Sequence, residues 1–328
     1  MASIKDVAKL AGVGVGTVSR TINGTGYVSE DTKKKITAAM EKLDYTPNEL
    51  ARNLYKKKSG IIAVLVPSVA HSFFAEFLNS IEIEFYEHGY KTMICNTMKG
   101  RSYEAEYLQM LKKRIVDGIV ITGVHSLELQ EYLNIDMPVV SLDRYIGGHI
   151  PVVSVNHRKG GQVAAQELLR CGCKKVVQIR GAVQKGLTAN DRHEAFEEEL
   201  CAAGVEVYTY KMEFNKFDLE YFRTYAENAF LEHPEADGMF GADLSVLSYM
   251  KTALAHGKRI PEDLRLVAYD GTQVTEMVYP SLTTVKQPIG QLAKEAAGLL
   301  IQKINGIDHQ GKIIELEAAL CRGDSTRV

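Results

Sequence analysis

The sequence predicts an N-terminal all-α helix-turn-helix head followed by an α/β core of two parallel-sheet subdomains. Three observations carry that prediction. Helical spacing broken by glycine fills the first 46 residues, and from Ile61 onward short apolar runs alternate with amphipathic stretches. Charge also divides between the two parts. Residues 1–60 hold nine Lys and two Arg against six acidic residues, or +5, while the rest of the chain carries −7 of the overall −2. A basic head on an acidic body suits a chain of which only the head meets polyanionic phosphate.

In the head, Ile4, Val7, Ala8 and Ala11 share one helical face, with Ser3 as N-cap. Gly12-Val13-Gly14 breaks that helix. A second runs from about Val15 to Asn23 with Val18 and Ile22 inward, and Asn23-Gly24 and Gly26 end it. Ser29 caps a third, whose first turn sets Glu30 and Asp31 at the positive end of the helix dipole and whose buried stripe is Ile36, Ala39, Met40 and Leu43. Two short helices about a glycine turn form a helix-turn-helix, whose second helix enters the major groove. Gly12-x-Gly14-x-Gly16 is not a dinucleotide loop, because a helix rather than a strand precedes it.

In the body the clearest strands are 61–66, 92–96, 118–122, 138–142, 152–155, 175–179, 237–241 and 264–269. Amphipathic helices are expected at 73–88, 102–114, 158–170, 189–203, 218–232, 244–256 and 288–304. Continuous apolar strands with helical crossovers mean parallel sheets covered on both faces. The expected boundaries are a head at 1–46, a hinge and linker at 47–60 and a core at 61–328. Within the core the N-subdomain takes about 61–150 and 282–290, and the C-subdomain about 151–280 and 291–328.

Ligands of such sheets bind beyond the carboxyl ends of the strands. Ser68, Asp143, Asp243 and Asp270 stand at those ends, Thr188 and Arg192 open the helix after the sixth strand, and Phe73 and Phe74 begin the first core helix. Aromatic faces stack on the apolar faces of sugars while carboxylates and a guanidinium share the hydroxyls. Three carboxylates with a single Arg fit a neutral polyol better than an anion. A nucleophile elbow, an HExxH pair and a Walker loop are all missing, so neither an enzyme nor a cofactor is expected. The five cysteines are scattered, and Cys171-Gly172-Cys173 is too tight and too isolated for a zinc site, so no metal is expected either. No apolar run approaches the ~20 residues of a membrane span. The N-terminus lacks a basic segment followed by an apolar stretch, which points to the cytoplasm.

Ile4-Lys5-Asp6-Val7-Ala8-Lys9-Leu10-Ala11-Gly12-Val13, Thr17-Val18-Ser19-Arg20 and Ile22-Asn23 resemble the DNA-binding head of the LacI/GalR repressor family. The likeness continues through Val28-Ser29, Thr32 and Ile36 to Leu43-x-Tyr45-x-Pro47-Asn48 and Ala51-Arg52. It implies that Val15, Gly16 and Arg20 face base edges and that Thr17, Ser19, Asn23, Tyr27, Ser29 and Thr32 lie on or near phosphates. Of the three base-facing positions only Arg20 can make a bidentate contact to guanine. Residues 48–55 resemble the hinge helix, bringing in Asn48, Ala51, Arg52 and Tyr55, with Leu54 as the apolar wedge that opens a minor-groove base step. Eight residues are too few for a stable isolated helix, so this segment is expected to fold with DNA and a partner chain.

The body resembles the same family's periplasmic-binding-protein-like sensor. Ser72-Phe73-Phe74-Ala75-Glu76, Leu142-Asp143-Arg144, Arg192, Asp243, Tyr269-Asp270 and Leu282-Thr283-Thr284-Val285-x-Gln287 carry the likeness and add Gln287 to the effector set. Asn156-His157 departs from the family's usual Asp-Asn, and Ala195 from its usual glycine. Tyr269-Asp270-Gly271-Thr272 resembles the sucrose- and other disaccharide-operon repressors of that family. The resemblance implies a sequence-specific repressor of a carbohydrate operon that binds a near-palindromic operator as a homodimer, the chain showing no heptad tail for tetramers. A catabolite-control regulator driven by a partner protein stays open as the alternative. A sugar-binding protein without DNA function fits the basic head poorly.

Overall fold

The computed structural model describes residues 2–47, 58–97, 101–122, 137–182, 186–213, 216, 218–309 and 311–327, with the backbone alone at 101 and 102. The chain divides into two compact units, residues 1–60 and 61–328.

The head contains α1 (Ile4–Ala11), α2 (Val15–Asn23) and α3 (Glu30–Lys42). Ser3 and Asp6 cap α1 reciprocally: the Ser3 hydroxyl accepts from the Asp6 amide at 3.4 Å, and Asp6 accepts from the Ser3 amide at 2.9 Å. Gly12 closes α1 at φ 66°, a conformation that costs glycine little. Ser29 caps α3 by accepting from the Thr32 amide at 3.4 Å. Val7, Val18 and Ile36, one from each helix, are fully buried against each other, with Ala8 and Ala39 beside them. A unit this small buries little apolar surface, so that three-residue centre carries much of its stability.

In the core, chain order runs β1 (Ile61–Val66), α4 (Ser72–Glu87), β2 (Lys91–Asn96), α5 (Arg101–Lys112), β3 (Gly118–Ile121), β4 (Val139–Leu142), β5 (Val152–Val155) and α6 (His157–Arg170). It continues through β6 (Lys175–Arg180), α7 (Asp191–Ala202), β7 (Glu206–Lys211), α8 (Leu219–Glu232), β8 (Gly238–Ala242), α9 (Asp243–Ala255) and β9 (Arg265–Asp270). Last come β10 (Thr283–Lys286), α10 (Ile289–Ile304), β11 (Ile313–Leu316) and β12 (Ala319–Cys321). The first sheet has the order β11-β5-β4-β3-β1-β2 and is parallel throughout. The second runs β12-β10-β9-β8-β6-β7 and is parallel except where β12 meets β10.

Each sheet is covered on both faces, as its unbroken apolar strands require. In β1, Ile62, Val64 and Val66 pack with Phe77 and Ile81 of α4 and Leu292 and Ala296 of α10, whereas Ala63 and Leu65 pack with Leu108 and Leu111 of α5. Alternate side chains of a strand point to opposite faces, so one apolar run serves two cores. In the second sheet Val177 and Met239 face α8 and α9, and Val176 and Phe240 face α6 and α7.

The subdomain boundaries differ from those expected. β5 belongs to the first sheet although the sequence suggests that 151–280 lies in the second subdomain, and β10 belongs to the second sheet although the sequence suggests that 282–290 lies in the first. Within 291–328, α10 and β11 pack in the first subdomain, while β12 lies in the second sheet. A short apolar strand announces itself but not its neighbours, and membership is set by register. Among the described residues the chain crosses between subdomains three times, at Asn156, at Gln287-Pro288 and at Glu317-Ala318. Asn156 donates to Glu317 at 3.2 Å, tying the first crossing to the third.

The C-terminal segment is held by one buried carboxylate. Glu167 on α6 accepts from Arg170 at 2.8 Å, from Arg322 at 3.0 Å and from the Thr326 hydroxyl at 2.9 Å.

Candidate functional site

The recognition face of the head is built by α2 and the turn after it. Val15, Gly16, Arg20 and Tyr27 are exposed, with Tyr27 at 92%. Val18 turns inward and so points the rest of the helix to solvent. Gly14 caps α2 without a side-chain hydrogen bond. Ser19 and Asn23 are tied together, the Asn23 amide donating to the Ser19 hydroxyl at 3.2 Å. Thr17 accepts from the Thr21 hydroxyl through its carbonyl. The Ser29 and Thr32 hydroxyls lie 2.8 Å apart at the start of α3. Asn48, Ala51, Arg52, Leu54 and Tyr55 lie outside the described residues.

In the core an open cleft lies between the sheets. Its walls come from the carboxyl ends of strands in both: Leu142 and Asp143 after β4, Ile179 on β6, Met212 after β7, Ala242 on β8, Asp270 on β9 and Gln287 after β10. That is where parallel sheets expose backbone and side chains to a ligand. Phe73 and Phe74 enter from the first turn of α4, and Phe222 of α8 faces them from the other subdomain. His71 sits between, its ring 5.4 Å from Phe74 and 6.2 Å from Phe222. Burial pushes the His71 imidazole below its ordinary pKa, although the Asp270 charge opposes this.

Two aspartates face the cleft in left-handed backbone conformations, Asp143 at φ 55° and Asp270 at φ 116°. Such conformations are uncommon in non-glycine residues, though aspartate adopts them more readily than most. Asp143 Oδ1 accepts from His157 Nε2 at 2.9 Å and from the Val155 amide at 3.3 Å. Asp270 Oδ1 accepts from Gln287 Nε2 at 2.8 Å and from Arg192 at 3.5 Å. Among the described residues the second oxygen of each carboxylate has no hydrogen-bond partner, and neither does the buried Gln287 Oε1.

Arg192 is fixed from three sides. It meets Asp270, lies 4.3 Å over the Tyr269 ring, and donates through Nε to His193 Nε2 at 3.4 Å. His193 is fully buried, and burial, together with the Arg192 charge, drives its pKa well down. The neutral ring therefore accepts from Arg192 at Nε2 and donates from Nδ1 to Gln178 at 3.1 Å.

Three of the expected effector residues do not line the cleft. Asp243 is completely buried and turned onto the loop after β9, accepting from the Thr272 amide at 2.8 Å, the Thr272 hydroxyl at 2.7 Å and the Gly271 amide at 3.3 Å. Burial and the neighbouring Asp270 charge push Asp243 up to about 7, against those hydrogen bonds. Its work is to hold the turn that leaves Asp270 strained. Ser68 accepts from the Ala70 amide at 3.3 Å and closes a turn. Thr188 donates to the Asp143 carbonyl through both its amide and its hydroxyl, at 3.0 and 3.1 Å, and braces that residue from behind. His71, Met212 and Phe222 are cleft residues that sequence reasoning passed over. His71 is legible in hindsight as the residue before Ser72-Phe73-Phe74, whereas Met212 and Phe222 carry no signal apart from the fold. Apart from the cleft lining, Glu76 of α4 accepts from the Gln273 amide at 2.7 Å, joining the subdomains directly.

Two family models match the chain. Residues 3–48 match the bacterial regulatory proteins of the lacI family, and residues 59–319 match the periplasmic binding proteins and sugar binding domain of the LacI family. A ribose operon repressor of Halalkalibacterium halodurans is 39% identical over 307 residues, 93% of this chain and 91% of that protein. A sucrose operon repressor of Streptococcus mutans is 36% identical over 328 residues, 99% of each chain. Among solved structures, a complex of the transcriptional regulator CelR with cellobiose aligns with a TM-score of 0.72 at 26% identity, covering 99% of this chain and 100% of that one.

Proposed function

The chain belongs to the LacI family of bacterial regulatory proteins, and from that premise we propose that it represses a carbohydrate-utilisation operon, with operator affinity set by a neutral sugar in the core cleft. One observation carries the sugar reading. Among the described residues three acceptor oxygens, on Asp143, Asp270 and Gln287, stand uncommitted beside one guanidinium and a wall of phenylalanines. Acceptors in that number call for a ligand rich in hydroxyl donors, and a buried carbonyl left unsatisfied costs about 1–3 kcal/mol that such a ligand recovers. The carboxylates lining the cleft, Asp143, Glu213 and Asp270, outnumber its cations, Arg192 and Lys216, which disfavours a phosphate. Phe73, Phe74 and Phe222 offer flat apolar surface to a sugar ring.

The head reads DNA through α2. Arg20 recognises guanine, Val15 and Gly16 let the helix approach the base edges, and Thr17, Ser19, Asn23, Tyr27, Ser29 and Thr32 set register on the phosphates. Asn48, Ala51, Arg52, Leu54 and Tyr55 extend the contact into the minor groove, with Leu54 as the wedge. Two copies of the chain meet a near-palindromic operator. The protein binds and releases its sugar without chemistry, and it works in the bacterial cytoplasm. No described helix is long and apolar enough to cross a membrane.

A thermal-shift panel of neutral mono- and disaccharides beside their phosphates tests the cleft. A neutral sugar at ~100 times its Kd should stabilise the chain by about 2.7 kcal/mol, and Asp270→Ala should remove the shift. Stabilisation by sugar phosphates alone contradicts the reading. For the head, Arg20→Ala should cost about 1–3 kcal/mol on the operator and little on random DNA. An equal loss on both, measured by fluorescence anisotropy, removes Arg20 from base recognition.

A further inference from the structure

A chain of side chains runs from one residue of the cleft wall, Asp143, to two that do not line it, His157 and Tyr269. His157, the first residue of α6, follows the Asn156 crossing between subdomains, is 2% exposed and does not line the cleft. Its Nε2 lies 2.9 Å from Asp143 Oδ1 in the first subdomain, and its Nδ1 lies 2.9 Å from the Tyr269 hydroxyl in the second. A carboxylate only accepts, so Nε2 carries the proton. Burial keeps the Tyr269 phenol protonated, so it can donate to Nδ1 of a neutral ring. The helix can deliver the ring to this spot because Gly160 and Gly161 let it sit unusually close. A Cβ on Gly160 would stand 2.6 Å from the Tyr269 hydroxyl, and one on Gly161 would stand 2.0 Å from the Arg192 carbonyl.

We propose that His157 is the positioning residue of the effector cleft: anchored by Tyr269, it holds the Asp143 carboxylate so that one oxygen is spent on the protein and the other is presented to the ligand. The inference rests on the sugar reading above for its ligand and on the imidazole geometry for its mechanism. Asp143 sits in a left-handed backbone conformation with its carboxylate between the Val155 amide and His157, so without the imidazole one amide alone sets its orientation.

Calorimetry on the full chain with D-ribose and sucrose, together with imidazole proton–nitrogen spectra, tests this. The glutamine amide nitrogen reaches as far as Nε2, whereas the asparagine amide nitrogen reaches only as far as Nδ1. His157→Gln should therefore stay within about threefold of the wild-type affinity, and His157→Asn should lose about tenfold, as expected for one hydrogen bond to a charged group. In an Asp143→Ala background His157→Asn should cost less than about twofold, since the group it positions is gone. An equal loss with and without Asp143, or no loss at all, overturns the proposal, because the residue would then serve the fold or nothing. If neither sugar binds the wild-type chain, these two are excluded as its ligands, and the spectra still decide the inference. They should show the Nε2-protonated tautomer with a signal that moves in Asp143→Ala. The Nδ1-protonated tautomer, or a signal indifferent to Asp143, overturns it.

Discussion

Gly161→Ala should destabilise the core by about 3 kcal/mol, at the upper end of what a single added methyl costs in a packed interior. The new Cβ would meet the Arg192 carbonyl oxygen at 2.0 Å and its carbonyl carbon at 2.7 Å, so backbone must move rather than a flexible side-chain tip. The strain falls where α6 crosses the start of α7, which also carries the Arg192 guanidinium. Cleft affinity should therefore fall together with stability. Gly298→Ala is the matched control. It lies inside α10, nothing stands within 4 Å of its added Cβ, and relief of glycine's helix cost should raise stability by about 0.5–1 kcal/mol. Urea midpoints at unchanged m-value measure both. A loss below about 1 kcal/mol for Gly161→Ala contradicts the packing described.

Glu167→Ala should cost about 3 kcal/mol at neutral pH. The carboxylate is buried, and its hydrogen bonds from Arg170, Arg322 and Thr326 outweigh the cost of burial and hold it down to about 2, against an ordinary 4.5. Removing a partner from a buried ion pair costs ~3–5 kcal/mol when the remaining charge is stranded. Here Arg170 and Arg322 are 43% and 60% exposed and can hydrate, so the lower figure applies. The pH dependence follows from the depressed value. Stabilisation by Glu167 is fully present above about 4.5 and is lost as pH falls toward about 2. The gap between wild-type and variant stability should narrow on acidification from pH 7 to about pH 3, and a gap independent of pH contradicts the assignment.

Both sites show where sequence reasoning works and where it stops. The head was legible almost to the residue, because its helices are bounded by local chemistry: Ser3 and Ser29 as caps, Gly12 and Gly24 in left-handed closures. Strands β10, β11 and β12 escaped, while the core helices and β1 to β6, β8 and β9 were legible from apolar runs. β7 was not, because its Glu-Val-Tyr-Thr-Tyr-Lys alternates as an edge strand does, and an edge strand needs only one apolar face. Sheet membership of β5, β10 and β11 was also out of reach, since a crossing of one or two residues leaves no compositional mark.

In the cleft, the rule that ligands gather at strand ends placed Asp143 and Asp270 correctly beside it. Asp243 obeys the same rule in sequence yet spends its carboxylate on Thr272 and Gly271, a choice made by a turn 28 residues away. His157 departs from the family's usual residue. Its reach to both Asp143 and Tyr269 became visible only once two sheets were brought together.

The proposed function has one chain couple operator DNA to a sugar in the cleft. Operator affinity of the full chain, titrated with the neutral sugar that gives the largest thermal shift, tests it most directly. The sugar should change operator affinity by about 5–150-fold, and operator should change sugar affinity by the same factor. A sugar that stabilises the core while leaving operator affinity unmoved contradicts the claim.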